Sequence, residues 1–332
     1  MTNPTLRVAD AEDRDRILHL FHHVFGKERT AMEWSWAFQE GPLGPADIVI
    51  ALEGDTVVAH AATLRRAAQI QGETTIFGQS VDAMTHPDWQ KQGLNQRLQE
   101  TLSELHRAAG VEWVYGFSNE LSTRLVTERQ GRRSLGPFPL LARPLRTGFG
   151  ALRRLGRSPG PPAIHPADIP RDIDSLSHAA AAWHSVGVLR DRAYLEWRYR
   201  RPGGSYHAIT QRAAGELEGF GVLAIRNQGP LRAAFVAEAI VGEDSPESWN
   251  HLTESLLERA RDLGCDAVVA LGTPGSRTRS AWKSAGLYGV PEWIQPENVA
   301  FSIRPTPPES PLHPTVFDPA SWHLCWGEHD LV

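Results

Sequence analysis

The chain has 332 residues, 41% hydrophobic and 22% charged, with a net charge of -5. Those totals suit one large or two ordinary soluble domains and exclude a polyanion binder defined by overall charge, so nucleic acid is not an expected partner. Cys265 and Cys325 are too few for a disulfide framework or a cysteine-rich metal site. No run approaches 18 apolar residues, and the opening MTNPTLRVADAEDRDRIL has no apolar core, so a cytoplasmic location with no membrane span is expected.

In chain order, AEDRDRILHLFHHVF (11–25) has helical spacing, and TAMEWSWAFQEG (30–41) is an aromatic segment containing Glu33, Trp34 and Trp36. His19, His22 and His23 fall within helical reach of one another but have no carboxylate or cysteine partner in view, so no metal is expected. Residues 47–72 alternate as a strand meander with turns at Glu53-Gly54-Asp55 and Gln71-Gly72, and TTIFGQSVDAMT (74–85) is the next strand. It runs directly into a helix whose apolar residues recur at Leu94, Leu98, Leu102, Leu105 and Ala109. Pro87 and Asp88 supply a stop and a cap before it, and Gly93 falls in its first turn.

The segment 136–170 is rich in Pro and Gly and reads as a connection between two units. It overlaps a stretch between Glu128 and Asp168 that has no acidic residue but contains Arg129, Arg132, Arg133, Arg143, Arg146, Arg153, Arg154 and Arg157. That tract suits either a solvated linker or an anionic partner. The flanking units share landmarks: Gly264 lies 154 residues after Gly110, Ser276 lies 154 after Ser122, and Gly286 lies 155 after Gly131. A helix, a glycine stop, a β-rich run, a polar turn, a second helix and a glycine recur in each, which points to a tandem repeat of one α/β domain. The expected division is 1–145, a linker at 146–170, and 171–332.

Gly93 has a physical rationale. The first N–H groups of a helix have no partner inside it, and the macrodipole adds positive charge there. A strand feeding a helix start without acidic residues therefore suits a phosphate, with Gln90, Lys91, Gln92 and Asn95 as further donors. Strand, His-Pro, Gln90-x-x-Gly93-x-Asn95, helix, strand and an Asn opening the next turn together resemble the GNAT superfamily of acetyl-CoA-dependent N-acyltransferases. The resemblance implies two tandem GNAT-like domains of mixed, mostly antiparallel sheet flanked by helices. It implies that the main chain of Ala83, Met84 and Thr85 pairs with pantetheine. The segment from Gln90 through Lys91, Gln92, Gly93 and Leu94 to Asn95 would cradle the pyrophosphate, with Asn119 and Ser122 beside the thioester. The tyrosine that many members place four residues before the glycine matched by Gly131 is Thr127 here, so the usual general acid is missing.

Asp82, flanked by Val81 and Ala83, is the first candidate for the base. Glu120, next to Asn119, is the second, while Gln79 can only orient a water. Glu33, Trp34 and Trp36 are expected to border the acceptor, and the Tyr194, Trp197, Tyr199 and arginine cluster of 189–204 suits an anionic acceptor or a structural helix. In the second copy, Glu243, Asp244 and Glu247 stand where a phosphate would sit, with Ser245 or Asp244 as cap and Pro246 in the first turn. The expected activity is transfer from acetyl-CoA to the amine of a small molecule, such as an amino sugar, in a ternary complex. A homodimer is compatible with this reading. Two rivals keep the fold: an aminoacyl-tRNA-dependent transferase and a non-catalytic coenzyme A-binding scaffold.

Overall fold

The computed structural model describes residues 3–118, 120–146, 160–291, 300–306 and 313–329, without the side chains of 120–122, 125 and 129. The chain divides into two compact units, one of 1–68, 74–136 and 299–313 and the other of 69–73, 137–298 and 314–332. The boundary therefore differs from the expected one. Residues 137–145 belong to the second unit and 299–313 to the first. Of the expected linker, 147–159 lie outside the described residues, while His165 bonds to Gly204 and Tyr206 inside the second unit.

The first unit begins with β1 (Thr5–Val8), α1 (Arg14–Phe25), α2 (Ala31–Phe38), β2 (Asp47–Glu53), β3 (Thr56–Ile70) and β4 (Glu73–Thr85). It continues with α3 (Leu94–Ala108), β5 (Val111–Ser118), α4 (Glu120–Gln130) and β6 (Arg133–Pro137). The second unit has β7 (Leu140–Pro144), α5 (Ile173–Ala181), β8 (Val186–Val188), α6 (Arg192–Tyr199), β9 (Tyr206–Ala213), β10 (Glu216–Gln228) and β11 (Leu231–Val241). Then come α7 (Pro246–Asp262), β12 (Ala267–Leu271), α8 (Arg277–Ser284) and β13 (Tyr288–Gly289); β14 (Ala300–Pro305) returns to the first unit.

Along the first sheet the strand order is β1-β2-β3-β4-β5-β14-β6, and along the second it is β13-β7-β12-β11-β10-β9. β4 and β5 run parallel, as do β11 and β12, whereas β14 lies antiparallel to β5 and β7 antiparallel to β12. The order of antiparallel strands, helix, parallel strand and helix thus recurs, as the shared landmarks predict. Gly110 (φ +69°) and Gly264 (φ +70°) close α3 and α7, and Gly131 (φ +64°) and Gly286 (φ +78°) follow α4 and α8. The serines are less alike: Ser276 caps α8 by accepting from Arg279 N at 3.1 Å, whereas Ser122 lies within α4.

Strand alternation explains the layers of the first unit. Val49 and Ala51 of β2 face Leu94, Leu98 and Leu102 of α3. Ile48 and Ile50 face the opposite way and join Ile17, Leu20, Trp34 and Phe38 of α1 and α2. Three arginines of the basic tract are fixed within the fold. Arg132 is buried, Arg143 donates to Ala285 O at 2.6 Å, and Arg146 lies 3.8 Å from Asp266.

The second unit is organised around a buried ionic knot. Arg190 Nε donates to Glu238 Oε1 at 2.9 Å, and its other nitrogens reach Glu328, Val188 O and His323 O. Glu238, His323 and Cys325 bring ligand atoms within 4.8 Å of one another, but the carboxylate a cation would need is already held by Arg190. Removing one partner of a buried pair strands the other charge, at a cost of about 3–5 kcal/mol. Glu238→Ala should accordingly lower the unfolding free energy by that order in urea titration. Asp172→Ala, which breaks an exposed pair with Arg212, should leave the midpoint nearly unchanged.

Candidate active site

The first unit's site begins where two strands part. β4 and β5 pair from Ile76↔Val111 to Gln79↔Tyr115, and Ser80 and Gly116 stand just beyond the last pair. Two residues further along β4, Asp82 adopts φ +47°, a left-handed conformation that costs a non-glycine residue about 1–3 kcal/mol. Two side chains hold it there. His60 Nδ1 lies 2.8 Å from Asp82 O; a carbonyl only accepts, so Nδ1 carries the proton. Burial holds the His60 imidazole below its usual range, in keeping with a neutral ring. The Asp82 carboxylate meets the guanidinium of Arg29, which stacks 4.1 Å from the centre of the Phe21 ring. Asp82 was expected among apolar neighbours alone, whereas the structure gives it an arginine.

Past Thr85 the chain makes a short turn at Pro87–Trp89, capped by His86, and then enters α3, whose cap is Gly93 rather than Asp88. Gly93 is the cap of α3 and not part of its first turn; its φ of +76° is the reason for glycine, since a Cβ there would meet nothing within 4 Å. Lys91 is also left-handed, at φ +63°. No side chain caps the helix start, and its first turn has no acidic residue. Unpaired N–H groups are therefore left available to an anion. Gln90 and Gln92 do not reach outward as expected. Their amides donate to Thr85 O and Asp88 O, at 3.4 and 3.2 Å, and brace the loop instead.

Other residues named from sequence fall as follows. Ala83 is exposed, Met84 buried and Thr85 half-buried at the end of β4. Leu94, the first residue of α3, is buried, and the buried Asn95 Oδ1 has no hydrogen-bond partner. Asn119 lies outside the described residues, as do the side chains of Glu120 and Ser122. Thr127 Oγ1 donates to Thr123 O at 2.9 Å within its own helix. Gln79 Oε1 accepts from Arg66 Nε at 3.1 Å. Glu33 closes a capping box with Thr30, at 2.9 Å from its N and 3.0 Å from its Oγ1, and Trp34 is a core residue against Phe38. Trp36 is half-buried. His22 pairs with Glu28 at 2.9 Å while His23 stacks on His86 at 4.3 Å, so the helical histidines turn to different partners.

In the second unit the equivalent helix start is filled. Ser245 caps α7 by accepting from Ser248 N at 3.2 Å, and Asp244 accepts from Trp249 Nε1 at 2.8 Å and pairs with Arg277.

Residues 5–124 match the family model described as an acetyltransferase (GNAT) domain, a span that contains both the parted strands and the open helix start. They are a GNAT acetyltransferase domain. The chain is an acyltransferase, and an acyl-coenzyme A is its co-substrate. No curated protein matches it. Solved structures share the fold across both units. A probable N-acyltransferase from Enterococcus faecalis V583 is 11% identical, with TM-score 0.60 over 92% of this chain and 73% of its own. A Saccharomyces cerevisiae N-myristoyltransferase with bound myristoyl-CoA is 10% identical, with TM-score 0.60 over 91% and 83%. A GCN5-related N-acetyltransferase from Anabaena variabilis is 10% identical, with TM-score 0.60 over 92% and 73%.

No local pattern in the sequence marks His60 and Arg29, which lie 22 and 53 residues from Asp82. Asparagine tolerates the left-handed region and alanine does not. Asp82→Asn should therefore cost less stability than Asp82→Ala, by about 1 kcal/mol in chemical denaturation. Equal losses would show that the backbone of residue 82 is not under constraint.

Proposed function

We propose that the GNAT domain transfers a short acyl group, acetyl being the simplest, from coenzyme A to the amine of a small metabolite such as an amino sugar. The observation that supports this best is the uncapped, acid-free start of α3, behind Lys91 and Gly93, directly after a strand that leaves its neighbour. In this reading the free N–H groups and Lys91 hold the pyrophosphate, and the main chain of Ala83 to Thr85 takes pantetheine as an added strand. The family resemblance would put Asn119 and Ser122 beside the thioester.

Both substrates bind before chemistry. A base takes a proton from the acceptor ammonium, and the neutral nitrogen attacks the thioester carbonyl. The tetrahedral intermediate collapses with cleavage of the C–S bond, the nitrogen sheds its second proton as the amide forms, and the departing thiolate takes up that proton. Of the two carboxylates named from sequence, Asp82 is engaged by Arg29, so Glu120 becomes the first base to test and Asp82 the second. The second unit serves as a GNAT-like repeat that has given up its donor site, since Ser245, Asp244 and Arg277 satisfy the start of α7.

Gly93→Glu adds both a strained side chain and a negative charge at the anion site. Calorimetric titration should show acetyl-CoA binding in the parent and at least about a hundredfold loss in this variant. Undiminished binding would remove α3 from the donor site, and failure of the parent to bind would remove the proposal.

A further inference from the structure

Arg132 follows Gly131 at the end of α4 and is 5% exposed. Its Nη1 lies 2.8 Å from where a Cβ on Gly116 would stand, and Ser80 O lies 3.3 Å from the same point. Gly116 and Ser80 are the first residues past the last β4–β5 pair, so the guanidinium occupies the throat of the parting strands, in space left by a glycine. Among the described residues no carboxylate pairs with it, and its buried Nε has no partner. Burial, with Arg304 adding to it, brings its pKa down to about 9.

The surroundings deepen this imbalance. Arg304 Nη2 reaches Ser103 Oγ at 3.2 Å while its buried Nε is unpartnered. His106 is fully buried with both ring nitrogens unpartnered, and Ser302, opposite Gly116 in register, has a fully buried hydroxyl without a partner. Buried polar groups are ordinarily satisfied, and a buried cation ordinarily has a counter-charge. A cluster of donors with two guanidiniums and no acid is the complement of an anion.

We propose that Arg132 receives a carboxylate at the far end of the donor's acyl chain, so that the preferred co-substrate is the coenzyme A thioester of a short dicarboxylic acid. This rests on the reading of the parted strands as the donor site, because an acyl group extending inward from a thioester at Ala83–Thr85 passes toward Ser80 and Gly116. Arg132 is then a specificity residue. It pairs with the chain end and takes no part in the transfer of the proton or the acyl group.

The test is calorimetry of the full chain with coenzyme A, acetyl-CoA, succinyl-CoA and free succinate. Succinyl-CoA should bind at least about tenfold more tightly than acetyl-CoA, the scale of one charge-assisted hydrogen bond. In Arg132→Met that ratio should fall to near one. The substitution removes an unpaired buried charge, so the unliganded variant should melt no lower than the parent. Equal affinities in the parent, or a preference that survives in Arg132→Met, would overturn the assignment. So would competition by free succinate with no advantage for succinyl-CoA. Binding of coenzyme A without any acyl preference would sink this inference alone, whereas no binding of any thioester or of coenzyme A would sink the donor site itself.

Discussion

A left-handed residue inside a strand has to be held by its neighbours, and Asp82 is held at both ends. Its carbonyl accepts a hydrogen bond from His60 Nδ1, and its carboxylate pairs with the guanidinium of Arg29. The β4–β5 pairing ends at Gln79↔Tyr115, just before this residue, and the strands stay apart beyond it. Beyond it the turn at Pro87–Trp89 delivers the chain to α3, and the helix starts on a glycine with no side-chain cap and no acidic residue in its first turn. Strain of a few kcal/mol at one residue is a modest cost for an opening between two parallel strands.

The two units share a topology and differ in detail. Both have a parallel strand pair joined by a helix, and both close that helix with a left-handed glycine. They differ at the helix start. α3 has a glycine cap and no acid in its first turn, whereas α7 has Ser245, Pro246 and Glu247, with Asp244 tied to Trp249 and Arg277. The second unit spends its polar groups on a buried ionic knot instead. Its sheet also takes β7 from before the α5 region, while the first sheet takes β14 from near the end of the chain.

Local signals in the sequence carried much of this. Helical spacing, turn residues and the constant offset of three landmarks predict the elements and their recurrence, and the acid-free stretch around Gly93 points to the uncapped start of α3. What was hidden depends on distant residues meeting. Arg29 and His60 reach Asp82 across 53 and 22 residues, and no local pattern marks them. The membership of β14 in the first sheet was equally invisible, because periodicity identifies a strand without naming its partner. Arg132 reads from sequence as one of many linker arginines, and only the space beside Gly116 shows it to be buried. Thr30-x-x-Glu33 is also a capping-box pattern, which gives Glu33 a structural role legible in the sequence.

The measurement that bears most directly on the account is amide hydrogen exchange of the full chain with and without coenzyme A. Slowed exchange confined to the end of β4, the Lys91–Gly93 loop and the first turn of α3, with α7 unchanged, is the predicted result. Protection at the start of α7, or none around Gly93, would contradict it.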